Sequence, residues 1–348
     1  MAGRYLVTGG AGFVGSHMVA SLLDRGDQVT VLDNLATGHA EAVLPGARLA
    51  VGDLANLDFV ESVVADGPWD AVFHFAALSI VGDSMRDPFR YLAVNVGTGV
   101  GLISACVRHG VRRFVLSSTA ALFGSSRTTP IDEDTPYDPD SPYGESKAML
   151  ERALVWADRV HGLRSACLRY FNAAGADRAG RLGEDHTPES HLIPLVIDAA
   201  LGRRREMAVF GQDYPTPDGT CVRDYVHVAD LADAHQRVLQ RLDTASVRYN
   251  LGNGRGHSVL DVIGAVERVS GRRVPMRMAP RRAGDPAVLV AASDRIRRDV
   301  GWTPRYTELD DIVRTALAWR EAHPGGYAPL HPNLAGMTAL AAEIVKIL

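Results

Sequence analysis

Along the first half of the chain, short apolar runs rich in β-branched residues alternate with longer segments whose apolar positions recur every three or four residues. The runs are RYLVT (4–8), QVTVLD (28–33), RLAVG (48–52), AVFHF (71–75), RFVLSS (113–118) and SACLRY (165–170). Nearly continuous apolar strands spaced by crossover-length segments predict a parallel sheet covered on both faces, an α/β fold of the Rossmann type, doubly wound. The helix between the first two strands is expected over Phe13 to Arg25, with Gly26 ending it.

After about residue 172 the pattern changes to long Gly- and Pro-bearing loops, such as GADRAGRLGEDHTPESHLIP (175–194) and GQDYPTPDGTCVRD (211–224). This predicts a smaller α/β lobe built from insertions. YVHVADLADAHQRVLQRL (225–242) and RYNLGNG (248–254) read as a helix and a strand that return to the first lobe. The expected division is residues 1–172, joined by about 223–251, as a nucleotide-binding domain. Residues 173–222 and 252–330 form a second lobe, and 331–348 an amphipathic tail that docks as a helix or frays. No repeat recurs at a fixed period.

Composition adds mainly exclusions. The 37 Lys and Arg against 41 Asp and Glu leave a net charge of −4 over 348 residues, without the basic excess of a nucleic-acid binder. The Arg203–Arg205 run reads as a solvated helix end or loop. Cys106, Cys167 and Cys221 show no C-x-x-C spacing and read as small buried hydrophobes, and no metal site is expected. The N-terminus lacks the apolar core of a signal peptide, and no segment is expected to approach the ~20 apolar residues that cross a bilayer. A cytoplasmic location and no membrane partner are the expectation.

The chemistry starts at YLVTGGAGFVGSH, where Gly9, Gly12 and Gly15 follow one another at three-residue steps between the first strand and the first helix. Such a turn lets the backbone approach a pyrophosphate at a helix N-terminus. The second strand ends in Asp33, eighteen residues after Gly15, where a carboxylate accepts from a ribose diol and repels a 2′-phosphate. That favours NAD over NADP. Asp53 follows the third strand and suits the adenine edge, while Phe75, Ala76 and Ala77 lie at the end of the fourth. His74, inside that strand, reads as a hydrogen-bonded core residue. Asn95, in an apolar helical pattern, is expected to bond backbone nearby and so position a loop.

SPYGESK (141–147) sets Tyr143 and Lys147 one helical turn apart, with Ser141 as N-cap and Pro142 at the first helical position. Ser117, Ser118 and Thr119 end the fifth strand on the sheet edge that carries the glycine loop. A phenol is a poor base at neutral pH, but a nearby ammonium and a cationic nicotinamide both favour the phenolate. Lys147 supplies the first and also reaches the nicotinamide ribose. Thr119 bonds the substrate hydroxyl whose proton Tyr143 takes.

Together, T-G-G-x-G-x-x-G, Asp33, Ser118-Thr119 and Y-x-x-x-K resemble the extended short-chain dehydrogenase/reductase superfamily. LRYFNAAGA, HLIPL, FGQDYPTPDGTCVRDYVHVADLADAH, YNLGNG and RRAGDPA narrow the resemblance to the UDP-galactose 4-epimerase family, over roughly residues 4 to 327. The resemblance implies a tightly held NAD, a UDP-sugar substrate and a homodimer formed through a helix bundle. It further implies that the cofactor takes a hydride from sugar C4 while Tyr143 removes the O4 proton, and that the 4-keto sugar turns over and is reduced on its other face. The implied cofactor set adds Phe13, Val14, Asn34, Leu54, Asn95, Ser117 and Tyr170. On the substrate side the resemblance implies Asn172, Arg223 and Arg282 for the phosphates, Asp285 for the uridine ribose and Phe210 for the uracil, with Phe171, His191 and Leu192 beside them. Two positions depart from the best-known bacterial pattern. Ser79 stands where some relatives carry lysine, and Leu289 where a tyrosine often closes the sugar pocket.

Competing readings stay open at this point. They are a 4-epimerase of another nucleotide sugar (UDP-N-acetylglucosamine or UDP-glucuronate), a nucleotide-sugar 4,6-dehydratase, a dehydrogenase with exchangeable NAD, and a non-catalytic NAD-binding protein. Dehydration needs an acid/base pair just after Thr119, where this chain has Ala120 and Ala121.

Overall fold

The six apolar runs become the first six strands of the computed structural model, which describes residues 2–124, 129–282 and 285–327. They are β1 (Arg4–Thr8), β2 (Gln28–Asp33), β3 (Ala47–Val51), β4 (Ala71–His74), β5 (Arg113–Thr119) and β6 (Arg164–Tyr170). Seven further strands follow: β7 (Asn172–Ala174), β8 (Met207–Phe210), β9 (Val222–His227), β10 (Val247–Leu251), β11 (Gly256–Ser258), β12 (Met276–Ala279) and β13 (Val288–Leu289). The main sheet runs β3-β2-β1-β4-β5-β6-β10, parallel throughout. The chain reverses its direction of travel between β1 and β4, and ligands bind outside the strand ends at such a switch point.

Apolar layers cover both faces. On one, Tyr5, Val7 and Phe73 pack with Met18, Val19 and Leu22 of helix Phe13–Leu23 and with Leu231 and Val238 of the returning segment. On the other, Leu6, Val72 and Phe114 meet Val60, Leu102, Cys106, Leu150 and Leu154. All three cysteines are free and buried. The first helix stops at Leu23, two residues short of the expected end. A tight turn intervenes, in which Gly26, at φ +83°, donates to Leu23 O.

One helix corrects the expectation that nothing approaches a membrane-spanning length. Pro88–Arg108 is helical for 21 residues and is long and apolar enough by length and composition. Pro88, Arg90 and Asn95 break up the run in the sequence. The helix packs against Leu57–Ala65 and Pro142–His161 and also exposes Phe89, Val94 and Val100, and the apolar residues on both sides raise the average.

The later residues carry a third apolar cluster, in which Ile193, Val196 and Ile197 meet Val209, Val262, Val266, Ile312 and Val313. A four-stranded sheet (β11-β9-β13, with β7 on β9) and the pair β12-β8 lie in this part. Strand β10 returns to the main sheet beside β6, and helix Val228–Arg237 packs on helix Phe13–Leu23. Trp302, fully buried in the first cluster, donates to Asp230 O at 3.0 Å. The tail 331–348 lies outside the described residues.

Candidate active site

At the carboxyl ends of the main strands lies a cavity of about 750 Å³, within the range of small-molecule sites. Its floor is the glycine turn. Gly9 sits at φ +72°, and a Cβ there falls 2.4 Å from Ala76 N; a Cβ on Gly15 falls 2.1 Å from Gly9 O. Neither position admits a side chain, so strand, turn and helix stay close and the backbone N–H groups at the start of helix Phe13–Leu23 face the cavity.

Asp33 ends β2 with both carboxylate oxygens oriented. Oδ2 accepts from Ala11 N at 3.0 Å and Oδ1 from Leu35 N at 2.8 Å. Burial nevertheless raises its pKa above the ordinary value. Leu35 adopts φ +56°, a left-handed backbone that a leucine takes only under constraint, immediately after the acid. Asn34 clamps Asp53 through a 2.7 Å hydrogen bond, a pairing that no sequence spacing announces.

Asn95 behaves as expected, through a feature the sequence did not show. It lies in a π-helical stretch, Leu92–Thr98, where its side chain turns inward. There Oδ1 accepts from Leu78 N at 2.8 Å, and Nδ2 donates to Leu78 O and to Ser146 Oγ. This ties the loop after β4 to helix Pro142–His161. His74 is a core residue bonded to Thr8 at 2.7 Å, its pKa pushed down to about 3 by burial and then by the Lys147 charge.

Helix Pro142–His161 starts as predicted: Ser141 Oγ accepts from Gly144 N at 3.2 Å, and Pro142 occupies the first turn. That cap fixes Tyr143 and Lys147 against the end of β5. Thr119, whose Oγ1 accepts from Ala121 N at 3.1 Å, and the Tyr143 phenol both line the cavity. The Lys147 ammonium, 2% exposed, donates to Ser117 O at 2.9 Å, and the Ser117 hydroxyl is bonded to Tyr170. Desolvation lowers the lysine to about 8 against the opposing pull of Glu151. Tyr143 is shifted up, by burial first, with Thr119 acting the other way. In the chain by itself burial is the dominant influence on the phenol.

Below the dyad lies a network that sequence reasoning missed. Glu151, one turn beyond Lys147 and fully buried, accepts from Ser118 at 2.6 Å, Tyr137 at 2.6 Å, Arg169 at 2.7 Å and Arg248 at 3.1 Å. Its carboxyl is held below the ordinary range, burial opposing and Arg169 prevailing.

The cavity gathers most of the expected residues. Lining it are Gly9, Gly12, Phe13, Val14, Gly15, Asp33, Asn34, Asp53, Leu54, Phe75, Ala76, Ala77, Ser117, Thr119, Tyr143, Lys147 and Tyr170. The expected sugar-nucleotide residues Ser79, Phe171, Asn172, His191, Leu192, Arg223 and Leu289 join them. Asn95, Phe210, Arg282 and Asp285 do not line it. Arg282 lies over the Phe210 ring, 4.1 Å from its centroid. Arg223 is ion-paired with Asp285 and donates to Pro286 O at 2.9 Å. Asn172 donates to Asp224 O at 3.1 Å. Glu184 and His186 also line the wall and were not anticipated. The E-x-H-x-x-E-x-H spacing inside GEDHTPESH was the available signal.

A glycine turn closed to side chains, an oriented acid at the end of β2 and a Tyr/Lys pair against β5 define a nucleotide-dependent enzyme of the short-chain dehydrogenase type. The chain belongs to the NAD dependent epimerase/dehydratase family, whose pattern matches residues 5–252. It is 47% identical over 323 residues to the UDP-glucose 4-epimerase of Lacticaseibacillus casei, covering 92% of this chain and 98% of that protein. A UDP-glucose 4-epimerase crystal structure superposes with a TM-score of 0.91 at 45% identity, over 94% of this chain and 100% of the other. The Bifidobacterium longum UDP-glucose 4-epimerase, solved with NAD+ and UDP, gives 0.89 at 36% identity, over 93% and 100%.

Proposed function

We propose that the protein is an NAD-dependent UDP-hexose 4-epimerase whose preferred pair is UDP-galactose and UDP-glucose. The observation that carries the reading is the convergence of Thr119, Tyr143 and Lys147 on one cavity, at the sheet edge that bears the glycine turn. The residues fit NAD: the turn excludes any Cβ at Gly9 and Gly15, and Asp33 keeps a buried carboxylate at the cavity wall with each oxygen accepting one backbone N–H. Each oxygen has a further lone pair for a ribose hydroxyl.

When bound, NAD supplies a hydride acceptor and donor for sugar C4 and a positive charge beside the phenol. Tyr143 takes and returns the O4 proton, Thr119 orients that hydroxyl, and Lys147 holds the ribose and adds positive charge. Arg223, 13% exposed at its side chain, faces the diphosphate, and Leu289 bounds the sugar. Arg282 joins Arg223 on the phosphates, Asp285 takes the uridine ribose and Phe210 the uracil in this reading. Residues 1–172 with about 223–251 hold the cofactor, and 173–222 with 252–330 the sugar nucleotide. Ala120 and Ala121 also line the cavity and offer only methyl groups where dehydration needs an acid/base pair.

The copies pair as homodimers in this reading, through helices Pro88–Arg108 and Pro142–His161. These expose Val94, Val100, Met149, Trp156 and Val160, with Trp156 63% exposed. Three free buried thiols fit a cytoplasmic protein. The test is to denature tag-free protein and identify the released nucleotide, then offer a panel of UDP-sugars and resolve C4 epimers by NMR. NAD(H) and conversion of the plain hexose pair are expected. NADP(H), or no C4 conversion with NAD supplied, overturns the reading. Light scattering that finds monomers overturns the dimer.

A further inference from the structure

The turn leading into helix Leu192–Ala200 brings two imidazoles and two carboxylates to one point. One donor atom each from Glu184, His186, Glu189 and His191 lies within 4.8 Å of all the others, the one such group among the described residues. His186 Nδ1 stands 3.4 Å from Glu184 Oε1 and 3.6 Å from Glu189 Oε1, and His191 Nδ1 is bonded to the same Glu184 oxygen. Zinc bonds of 2.0–2.1 Å to nitrogen and similar ones to oxygen put tetrahedral ligands ~3.3–3.4 Å apart. The two His186 spacings match ligands of one small cation, and the direct His191–Glu184 bond is one that such a cation would replace.

Two further observations point to a ligand. His186 Nδ1 is sealed from solvent and makes no hydrogen bond. Glu189, its side chain only 9% exposed, has an Oε2 with no hydrogen-bond partner. The nearest basic group, Arg320, is 4.0 Å from that oxygen and is itself ion-paired with Asp198. A buried carboxylate oxygen with no hydrogen-bond donor, beside a ring nitrogen that only faces carboxylates at 3.4 and 3.6 Å, is costly unless something bonds it. With neutral imidazoles the set carries two negative charges, which balances a divalent cation.

We infer that Glu184, His186, Glu189 and His191 form a four-ligand site for a divalent transition metal, with zinc the fitting ion. Four protein ligands leave no open position, so the role is structural. The metal pins the turn between β7 and helix Leu192–Ala200, and with it His191 and Leu192 in the cavity wall. His186 also packs edge-on to Phe13, 6.4 Å between centroids, at the start of the helix after the glycine turn. The site thus braces the loop wall against the nucleotide-binding turn. It does not depend on the proposed reaction.

The experiment uses tag-free full-length protein, stripped with chelator, dialysed and titrated with Zn2+ alone against a chromophoric competitor. Cobalt replaces zinc in a parallel sample. The expected result is one equivalent per chain with Kd below ~1 μM, a raised melting temperature, and the intense visible absorption of tetrahedral Co2+. His186→Gln and Glu189→Gln are each expected to weaken binding by roughly 10²-fold. Nucleotide content, measured on each variant, reports folding separately from metal. No binding at this level, or binding unchanged in both variants, overturns the inference: the four groups are then two protonated imidazoles neutralising two carboxylates.

Discussion

The two ends of the cavity are built differently. At the cofactor end the backbone does most of the shaping: a turn with no room for a Cβ, an acid held by two N–H groups and a leucine forced to φ +56°. At the other end the wall carries long side chains that already have partners, Arg223 on Asp285 and Asn172 on Asp224 O. A nucleotide meeting the first end finds its contacts in place. At the second it exchanges partners, so part of the binding free energy goes into opening existing pairs. The cofactor end is thus suited to tight retention and the other to turnover of a diffusing substrate.

The sharpest way to break this contrast is to attack the rigid layer under the dyad. Glu151→Gln leaves Arg169, fully buried, without its countercharge, and is expected to destabilise the fold by about 3–5 kcal/mol, read by urea or thermal unfolding. Lys147 is charged below about 8 and neutral above it, so turnover that needs the ammonium falls as pH rises through that value. Glu151 supports the charge, so its removal moves this alkaline limb to lower pH. An unmoved limb shows that the pair does not sense Glu151.

Tyr143→Phe keeps the shape and removes the proton acceptor. Turnover is expected to fall ~10²-fold or more while UDP-sugar binding stays within a few-fold, a split visible by single-turnover kinetics and calorimetry. At the exchangeable end, Arg223→Ala is expected to raise KM for UDP-sugar by ~10-fold or more, the scale of a lost charge-assisted hydrogen bond, with the bound cofactor retained. Loss of both together means that the two ends are not separable.

The smallest effect concerns the sugar. Leu289 is narrower than tyrosine yet bulkier than cysteine or glycine, so weak use of the N-acetylated pair is expected beside the plain hexoses. Leu289→Tyr should suppress the N-acetyl activity by roughly 1–3 kcal/mol, partial rather than absolute, while sparing UDP-glucose. Competition between the two substrates measures it.

The contrast also explains what could be read in the chain. Strands β1 to β6 and the cap at Ser141 were legible because apolar runs, glycine spacing and Ser-Pro act locally. The Tyr143 and Lys147 site was legible because its members stand at fixed offsets from those elements. The π-helical turn that swings Asn95 inward has no composition signal. The Arg223–Asp285 and Glu151–Arg169 pairs join positions far apart in sequence, and the balance of burial and charge on Tyr143 depends on neighbours only the fold supplies. Glu184 and His186 were readable in principle. Their signal is the E-x-H-x-x-E-x-H spacing, which involves no cysteine.

The most direct test of the central claim is to give tag-free protein UDP-galactose in buffer with no added nucleotide, follow C4 by NMR, and record the nicotinamide absorbance throughout. The account predicts conversion to UDP-glucose, the same final ratio when the reaction starts from UDP-glucose, and no net reduced cofactor. Stoichiometric accumulation of reduced nicotinamide with no epimer formed would contradict it.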